Sequence, residues 1–196
     1  KKRELIIEGA IKRFTHYGIN KTTMNEIADD LSVSKPSLYY YFPDKLSLIS
    51  GVVSKVFEDY FEAISKEKPA ATLEATFANF IEIKHRFFQK YYMLHLSAGT
   101  SDATFNSSDI KNLGGEMKMK DMEIHAELIK DRMDKGEIAE ADSKKISELY
   151  LHSQAGITSL CIMQGNKELM PSKKELKYIL EKQLHLSKIF INGLKK

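Results

Sequence analysis

The fold of this chain is decided by residues 22–45, which read TTMNEIADDLSVSKPSLYYYFPDK. Thr23 followed by Glu26 matches a capping box, in which a hydroxyl and a carboxylate each bind a free backbone N–H at a helix start. After a break in the apolar spacing, Ser34 is placed to cap a second helix, whose first turn tolerates Pro36. The pattern predicts two short helices joined by a tight turn, which is a helix-turn-helix.

The second predicted helix has an apolar side and a polar side. Leu38 and Phe42 lie four residues apart and anchor the helix inward. The side chains that remain are Lys35, Ser37, Tyr39 and Tyr40. Lysine donates to phosphate or guanine, serine reads either base type, and tyrosine brings a hydroxyl and a ring that contacts a thymine methyl. These residue types suit double-stranded DNA.

The run Tyr39-Tyr40-Tyr41 bears on two interpretations. A helical subdomain without a partner seldom exposes three rings together, so the run favours a binding surface. The alternative to DNA binding is a helical protein-interaction module that uses this tyrosine-rich helix for a protein partner. Salt dependence separates the two, because phosphate contacts release counterions and weaken steeply as ionic strength rises.

A longer pattern covers roughly the first quarter of the chain. Its positions are Ile6-Ile7, Ala10, Phe14, Gly18, Thr22-Thr23, Ile27-Ala28, Val33-Ser34, Leu38-Tyr39, Tyr41-Phe42, Lys45 and Leu48. In this spacing the chain resembles the TetR family of bacterial transcriptional repressors. The resemblance implies that the second and third helices form the helix-turn-helix and that the third lies in the major groove. The DNA contacts it implies are Thr23, Asn25, Lys35, Ser37, Tyr39, Tyr40 and Lys45, the last on a phosphate.

Two positions depart from the pattern of that family. Ser32 stands where the family usually has a glycine in the turn, so we expect this turn to be slightly strained or differently wound. Gly9 replaces a common alanine in the first helix, at a cost of about 1 kcal/mol in helix propensity. Neither departure removes a contacting group.

Composition and periodicity predict an all-α protein. The 196 residues include four prolines and ten glycines, and no run alternates as a strand does. The formal net charge of +3 neither supports nor excludes DNA binding. We expect an N-terminal three-helix head, the helix-turn-helix DNA-binding domain, over residues 1–45. A larger helical effector-binding and dimerisation domain is expected over residues 46–196.

The larger domain, called the body below, is predicted to contain further long helices, separated by turn residues. The expected helices begin near Asp44, Thr72, Glu116, Asp142 and Ser172 and end before Pro69, near Ser97, near Lys135, near Gln164 and near Leu194. The expected breaks are a loop over 98–108, the pair Gly114-Gly115, and a helix stop at Gly136.

The last two predicted helices bear on whether two copies of the chain pair as a dimer. Helices 142–164 and 172–194 carry apolar residues three or four positions apart, which by itself fits an ordinary core. The TetR resemblance implies instead that they pair two subunits as a four-helix bundle. We therefore expect a homodimer on a palindromic operator, since two-fold symmetry in the protein mirrors two-fold symmetry in the site.

The same resemblance implies a small-molecule pocket in the body. The candidate lining residues are Phe80, Lys84, Phe88, Tyr92 and His95, facing Met119, Met122 and His125. Aromatic rings and methionines form an adaptable apolar wall, which favours a small apolar or aromatic effector. Ordinary core packing is the alternative for each of these residues. Repression released by the effector is the sign expected from the family.

Other function classes lack their motifs. There is no Gly-rich phosphate loop, G-x-S-x-G elbow or H-E-x-x-H motif, so we expect neither an enzyme nor a cofactor. The six histidines show no metal-ligand spacing. No apolar run reaches the roughly 18 residues that span a bilayer, and no signal peptide opens the chain. With Cys161 as its one cysteine, the chain fits a reducing compartment, and we expect a cytoplasmic protein.

Overall fold

The computed structural model describes residues 1–92, 94, 107–164 and 171–195, without the side chain of Gln164. The helices in these ranges are α1 (Lys2–Tyr17), α2 (Met24–Asp30), α3 (Lys35–Tyr41), α4 (Lys45–Lys66), α5 (Leu73–Lys90), α6 (Ser108–Asp134), α7 (Ser143–Gln164) and α8 (Lys173–Leu194). An antiparallel bridge joins Ile138 to Lys195. The predicted all-α fold with an N-terminal helix-turn-helix is confirmed.

Most of the predicted helix starts are confirmed by side-chain caps. At each one, a side-chain oxygen accepts a hydrogen bond from the backbone N–H three residues later, which satisfies one of the free donors of the first turn. The capped pairs are Asp44–Ser47 (2.7 Å), Thr72–Ala75 (3.2 Å), Asp142–Lys145 (3.1 Å) and Ser172–Glu175 (3.2 Å).

The predicted break at Gly114-Gly115 is wrong. Both glycines lie inside α6, which starts at Ser108 rather than near Glu116. A Cβ at either position would meet nothing within 4 Å, so packing does not require glycine there. The helix continues because the propensity cost, about 1 kcal/mol per glycine, is local, whereas the hydrogen-bond ladder and packing of the whole helix are shared.

The stop at Gly136 is confirmed. This residue has φ +74°, and its N–H donates to the carbonyl of Met133 at 2.8 Å while Glu137 donates to Arg132 at 3.0 Å. These two bonds form a Schellman motif, which glycine favours. Helix α5 ends at Lys90, before the predicted end near Ser97. Ser97 and residues 98–106 of the predicted loop over 98–108 lie outside the described residues, whereas Ser108 already belongs to α6.

The chain divides into two compact units. The first unit comprises Lys1–Glu62 and Phe87–Glu116, and the second comprises Ala63–Arg86 and Met117–Lys196. The core of the first unit is formed by α1, α2, α3 and the start of α4, and it includes Tyr91, Leu94 and Ile110. The functional division at residue 45 remains a prediction.

The second unit is built on packing among α5, α6, α7 and α8. Its buried cluster consists of Leu73, Phe77, Ile129, Ile138, Tyr150 and Ile191. The Tyr150 hydroxyl donates to Ser187 Oγ at 2.9 Å, and Gln154 Nε2 donates to the carbonyl of Gln183 at 3.2 Å. These contacts join α7 to α8 as an antiparallel pair.

Candidate nucleic-acid interface and effector site

The capping box predicted for α2 is present. Thr23 Oγ1 accepts from the backbone N–H of Glu26 at 3.3 Å, and the Glu26 carboxylate accepts from the backbone N–H of Thr23 at 2.8 Å. The hydrogen bonds that the Thr23 backbone N–H and hydroxyl donate to the Glu26 carboxylate lower the pKa of that carboxyl below its ordinary value. The start of α2 is therefore fixed by residues that the sequence already places three apart.

The turn after α2 carries the strain expected at Ser32, whose φ is +51°. The Ser32 N–H donates to Asp29 and the Val33 N–H donates to Ala28, each at 3.0 Å. This is a Schellman motif with serine at the left-handed position that glycine normally occupies. The backbone of Ser32 therefore adopts a conformation that costs L-residues about 1–2 kcal/mol.

Helix α1 holds α2 through Arg13, which the sequence analysis missed. Its guanidinium contacts Asp30 Oδ2 at 2.6 Å and Glu26 Oε1 at 3.0 Å. The side chain of Arg13 is largely buried, whereas both carboxylates are more exposed. Charge complementarity across seventeen residues was its only signal, because no short motif marks such a pair.

Helix α3 is buried on one side and exposed on the other. Ser34 Oγ accepts from the backbone N–H of Ser37 at 3.3 Å, as predicted for its cap. Leu38 and Phe42 are fully or almost fully buried in the first unit. Two anchors one turn apart hold the helix in a single rotation, so its outer face has a defined orientation.

The predicted DNA-contacting residues of α3 lie on or beside that outer face. Lys35 is exposed, Tyr39 is 44% exposed and Tyr40 is 81% exposed, whereas Ser37 is half-buried. The Tyr40 ring packs edge-on against Tyr41 at 5.2 Å. Pro36 is also exposed, one helical turn before Tyr40, and was not among the predicted contacts. The spacing of four residues between Pro36 and Tyr40 indicates that the two side chains share a face of the helix.

The other three predicted contacts lie at helix starts. Thr23 and Asn25 are exposed at the start of α2, and Lys45 is half-buried at the start of α4. The Thr23 hydroxyl is already engaged in the cap, where it also donates to Glu26 at 2.9 Å. All seven predicted residues belong to the first unit.

Part of the predicted effector site comes together in the second unit. Phe80 lies 5.5 Å from the His125 ring, and Lys84 Nζ lies 2.6 Å from Asp121 Oδ2. His125 Nδ1 is 2.8 Å from the backbone carbonyl of Asp121, so this nitrogen carries the proton and donates. The structure therefore joins Lys84 to His125 through Asp121, whose carboxylate is buried, and places Phe80 against the His125 ring.

His125 is enclosed by aromatic rings. Its centroid lies 4.7 Å from that of Phe77 and 5.7 Å from that of Tyr150. Burial lowers the pKa of His125, because the charged imidazolium would lose its hydration, and the Asp121 carboxylate opposes this effect. Burial also raises the pKa of the Tyr150 hydroxyl to about 12. Asp121 and Tyr150 were missed, since the sequence does not show which helix faces meet.

The remaining predicted effector residues are scattered. Met122 is half-buried, whereas Met119 is 57% exposed on α6, so its position does not match the predicted lining role. In the first unit, the Phe88 and Tyr92 rings pack edge-on at 5.3 Å. His95 lies outside the described residues.

In the described part of the chain, no group of three or more His, Cys, Asp or Glu side chains is placed to hold a metal ion. None of the helices described above is both long enough and apolar enough to cross a bilayer.

Comparisons with known proteins converge on one group. Residues 6–52 match the family model "Bacterial regulatory proteins, tetR family". The chain is 38% identical over 63 residues to YuxN, an uncharacterized HTH-type transcriptional regulator of Bacillus subtilis (strain 168). That match covers 32% of this chain and only 22% of the relative's length. This chain is also 24% identical over 131 residues to IcaR, the negative transcriptional regulator of the biofilm operon icaADBC in Staphylococcus aureus (strain Newman). The match to IcaR covers 65% of this chain and 68% of IcaR.

A solved structure extends the likeness to the whole chain. A transcriptional regulator from Cytophaga hutchinsonii ATCC 33406 superimposes with a TM-score of 0.85 and 27% identity, covering 100% of this chain and 99% of that one. The family match lies over α1 to the start of α4, where the helix-turn-helix geometry is found. The chain is thus similar to the TetR family of bacterial regulatory proteins, through the family match over residues 6–52 and the likeness of its whole fold to a solved transcriptional regulator.

Proposed function

We propose that this protein is a DNA-binding transcriptional regulator that represses from a palindromic operator and is released by a small-molecule effector. The observation that carries the proposal is the outer face of α3, where Tyr40 is 81% exposed above the buried anchors Leu38 and Phe42. TetR-family regulators are generally DNA-binding proteins without enzymatic activity. The protein would act in the cytoplasm, where its DNA is.

On DNA, α3 would enter the major groove and the two neighbouring helix starts would meet the backbone. Lys35, Ser37, Tyr39 and Tyr40 are the proposed groove residues, and Thr23, Asn25 and Lys45 the flanking ones. A B-DNA major groove about 12 Å wide admits one helix, and side chains at its outer positions reach the base edges. Lys45 at the start of α4 would bind a phosphate, which positions the helix without specifying a sequence.

A homodimer through α7 and α8 is the proposed assembly. TetR-family regulators bind DNA as dimers and respond to small-molecule effectors. Five large apolar side chains on these helices are exposed in the isolated chain: Leu149, Leu160, Met163, Tyr178 and Ile189. Exposed apolar side chains of this size on two long helices favour a surface that a partner covers. Two-fold pairing would place two α3 helices about 34 Å apart, one turn of the duplex.

The proposed effector site is the cluster around His125 in the second unit. Phe80 and the neighbouring rings supply an apolar wall, and Lys84 with Asp121 supplies a polar group, which together suit a small apolar or aromatic molecule with one polar substituent. Met122 would complete the wall. The effector would favour a dimer whose two α3 helices no longer match the operator, with a coupling of about 1–3 kcal/mol.

The experiment that tests this function is selection of bound fragments from the source genome by the purified protein at near-physiological salt, followed by sequencing. We expect enrichment of a palindrome. Tyr40→Ala should abolish the enrichment, whereas Tyr17→Ala, which changes another exposed tyrosine of the first unit, should leave it intact. If folded, dimeric protein enriches no sequence, the DNA-binding proposal fails and the alternative, a protein-interaction module using α3, takes its place.

A further inference from the structure

We infer that the first unit contains a binding site for a planar aromatic anion, such as an aromatic carboxylate, in a cavity of about 840 Å³. The described residues that line the cavity lie on α1, at the end of α2 and at the end of α5, and all of them belong to the first unit. The site is therefore separate from the effector site proposed around His125 in the second unit. Its volume lies in the range of about 300–1,000 Å³ that small-molecule sites occupy.

Aromatic and aliphatic side chains border the cavity. Tyr17 of α1 is 51% exposed, and the His16 ring packs edge-on against it with the two centroids 4.5 Å apart. Tyr91, which follows α5, contributes a second tyrosine ring, and Ile11 and Leu31 contribute aliphatic surface. Aromatic rings pack offset or edge-on against one another and bury a large area, so a planar aromatic ligand suits these walls.

The charge of Arg13, which also lines the cavity, is already matched. Its guanidinium contacts Asp30 at 2.6 Å and Glu26 at 3.0 Å, and its Cζ lies 5.0 Å from the centroid of the Tyr17 ring. Because two carboxylates bind this guanidinium, Arg13 is not the cation that selects the ligand. Its contact with Tyr17 instead holds that ring beside the cavity.

The charges left unmatched at the cavity are mainly positive. Lys12 and Lys90 are exposed, and neither forms an ion pair with another described residue. Lys90 Nζ lies 4.8 Å from the Tyr91 ring centroid, so one ammonium group is held at an aromatic wall. Glu8 is the carboxylate that opposes these two lysines. Two ammonium groups against one carboxylate favour an anion beside the rings.

Two buried polar atoms in the wall of the cavity have no hydrogen-bond partner. They are Arg13 Nε and Thr15 Oγ1, and both residues line the cavity. In the described part of the chain only two further side-chain atoms, on Ser50 and Gln154, share this condition. A buried donor without an acceptor is unfavourable, and a carboxylate accepts from such donors. A small rotation of either side chain would bring its donor to a carboxylate in the cavity.

The cavity lies where α1 is joined to α2. Arg13 and Asp30 both line it and bond to each other across the two helices. A ligand in the cavity would contact the same two helices, and α2 begins at the proposed flanking DNA contacts Thr23 and Asn25. An effect of this ligand on DNA affinity rests on the proposed function, whereas binding of the ligand does not.

Isothermal titration calorimetry of the full chain tests the inference with three probes that share one ring system. The probes are 2-naphthoate, the neutral 2-naphthalenemethanol and the cationic 2-naphthylmethylammonium. We expect 2-naphthoate to bind about tenfold or more tightly than the alcohol and the cation to bind more weakly than the alcohol.

Variants of the charged lining residues locate the site. The double variant K12A/K90A should bind 2-naphthoate about tenfold more weakly, and Glu8→Gln should bind it about twofold more tightly. The matched control is K2A/K21A, which removes the same charge from exposed lysines of the first unit that do not line the cavity. Its affinity should stay within about twofold of the wild type, because exposed charges farther away are screened. Far-UV circular dichroism checks that each variant is folded.

Each contrary outcome identifies what is wrong. Equal affinity for 2-naphthoate and the alcohol overturns the anionic class of ligand. Binding that Lys84→Ala weakens and K12A/K90A does not would place the probe in the proposed effector site and overturn a second site. No heat of binding from folded protein at about 5 mM probe also overturns the inference. None of these results bears on the DNA-binding proposal, which the selection of genomic fragments tests separately.

Discussion

Gly9 of α1 and Leu31 at the end of α2 approach so closely that a Cβ at position 9 would lie 2.7 Å from Leu31 Cδ2 and 2.9 Å from its Cγ. Real Cβ atoms do not come this near to another carbon. Because residue 9 is a glycine, the backbone of α1 can pack directly against the Leu31 side chain at the end of α2. Its helix-propensity cost, expected from the sequence alone, accompanies a contact that alanine cannot make without moving Leu31.

We predict that Gly9→Ala destabilises the protein by about 1–2 kcal/mol, because overpacking outweighs the gain of about 1 kcal/mol in helix propensity. In a Leu31→Ala background the overlap is gone, so the same change should stabilise by about 1 kcal/mol. Urea unfolding of the four proteins of this double-mutant cycle measures both effects. Equal stabilisation in both backgrounds would show that Leu31 moves aside at no cost.

Ser32 gives a second prediction. Its φ of +51° costs an L-residue about 1–2 kcal/mol, whereas glycine adopts it freely but loses more backbone entropy on folding. We expect Ser32→Gly to stabilise the protein by about 0.5–1 kcal/mol and Ser32→Ala to change stability by less than about 0.5 kcal/mol. Thermal unfolding measures both. Stabilisation by alanine as large as that by glycine would remove backbone strain as the cause.

The glycine pair of α6 gives a third prediction. Since a Cβ at Gly114 or Gly115 meets nothing, alanine at each should stabilise the helix by about 1 kcal/mol. Gly136→Ala is the matched control, because its site is equally open but has φ +74°, and it should destabilise by about 1–2 kcal/mol. Urea unfolding checks all three substitutions. If alanine at 114 or 115 weakens effector response without loss of stability, the pair also serves regulation.

The helix-turn-helix could be predicted because its signals are local. Thr23 with Glu26, and Ser34 with Pro36, define helix starts within four residues of chain, and Leu38 with Phe42 defines the buried side of α3. The contact of Gly9 with Leu31 could not be predicted, because it joins positions far apart in sequence. The break predicted at Gly114-Gly115 was wrong because the hydrogen bonds and packing of the whole of α6 outweigh the local helix-propensity cost of two glycines.

The candidate effector site was less predictable than the DNA-binding face. Aromatic spacing indicated Phe80 and Lys84 on one helix and His125 on another, and the structure brings these together. Asp121, which binds both Lys84 and His125, gave no signal, because a single carboxylate on a polar helix looks solvent-exposed. Which faces of α5 and α6 meet depends on packing between helices, and periodicity does not determine that.

The buried imidazole of His125 gives a fourth prediction. Burial lowers its pKa below the ordinary 6.5, so the unfolded chain binds a proton that the folded chain resists. The unfolding free energy is therefore greatest above about pH 6.5 and falls as the pH drops below it. His125→Phe should therefore make the unfolding free energy less dependent on pH between about 5 and 7.

Guanidinium unfolding at several pH values measures this dependence. Phenylalanine is chosen because the neighbours of His125 are Phe77, Phe80 and Tyr150, among which a further ring is tolerated. His85→Phe is the control, since this histidine is only half-buried and we expect a smaller change. An unchanged pH dependence in His125→Phe would mean that Asp121 offsets the desolvation of His125.

The last prediction separates two lysines of the proposed DNA-binding face. Lys45→Ala should weaken binding to all DNA sequences and reduce the slope of log affinity against log salt by about 1, because one phosphate contact and its counterion release are lost. Lys35→Ala should instead change the preference at one base pair by roughly 1–3 kcal/mol. Fluorescence anisotropy with the selected operator and single-base variants, at several salt concentrations, measures both effects. An unchanged salt slope would remove Lys45 from the phosphate contacts, and an unchanged base preference would show that Lys35 does not read sequence, so each residue is tested by a quantity that the other should leave largely alone.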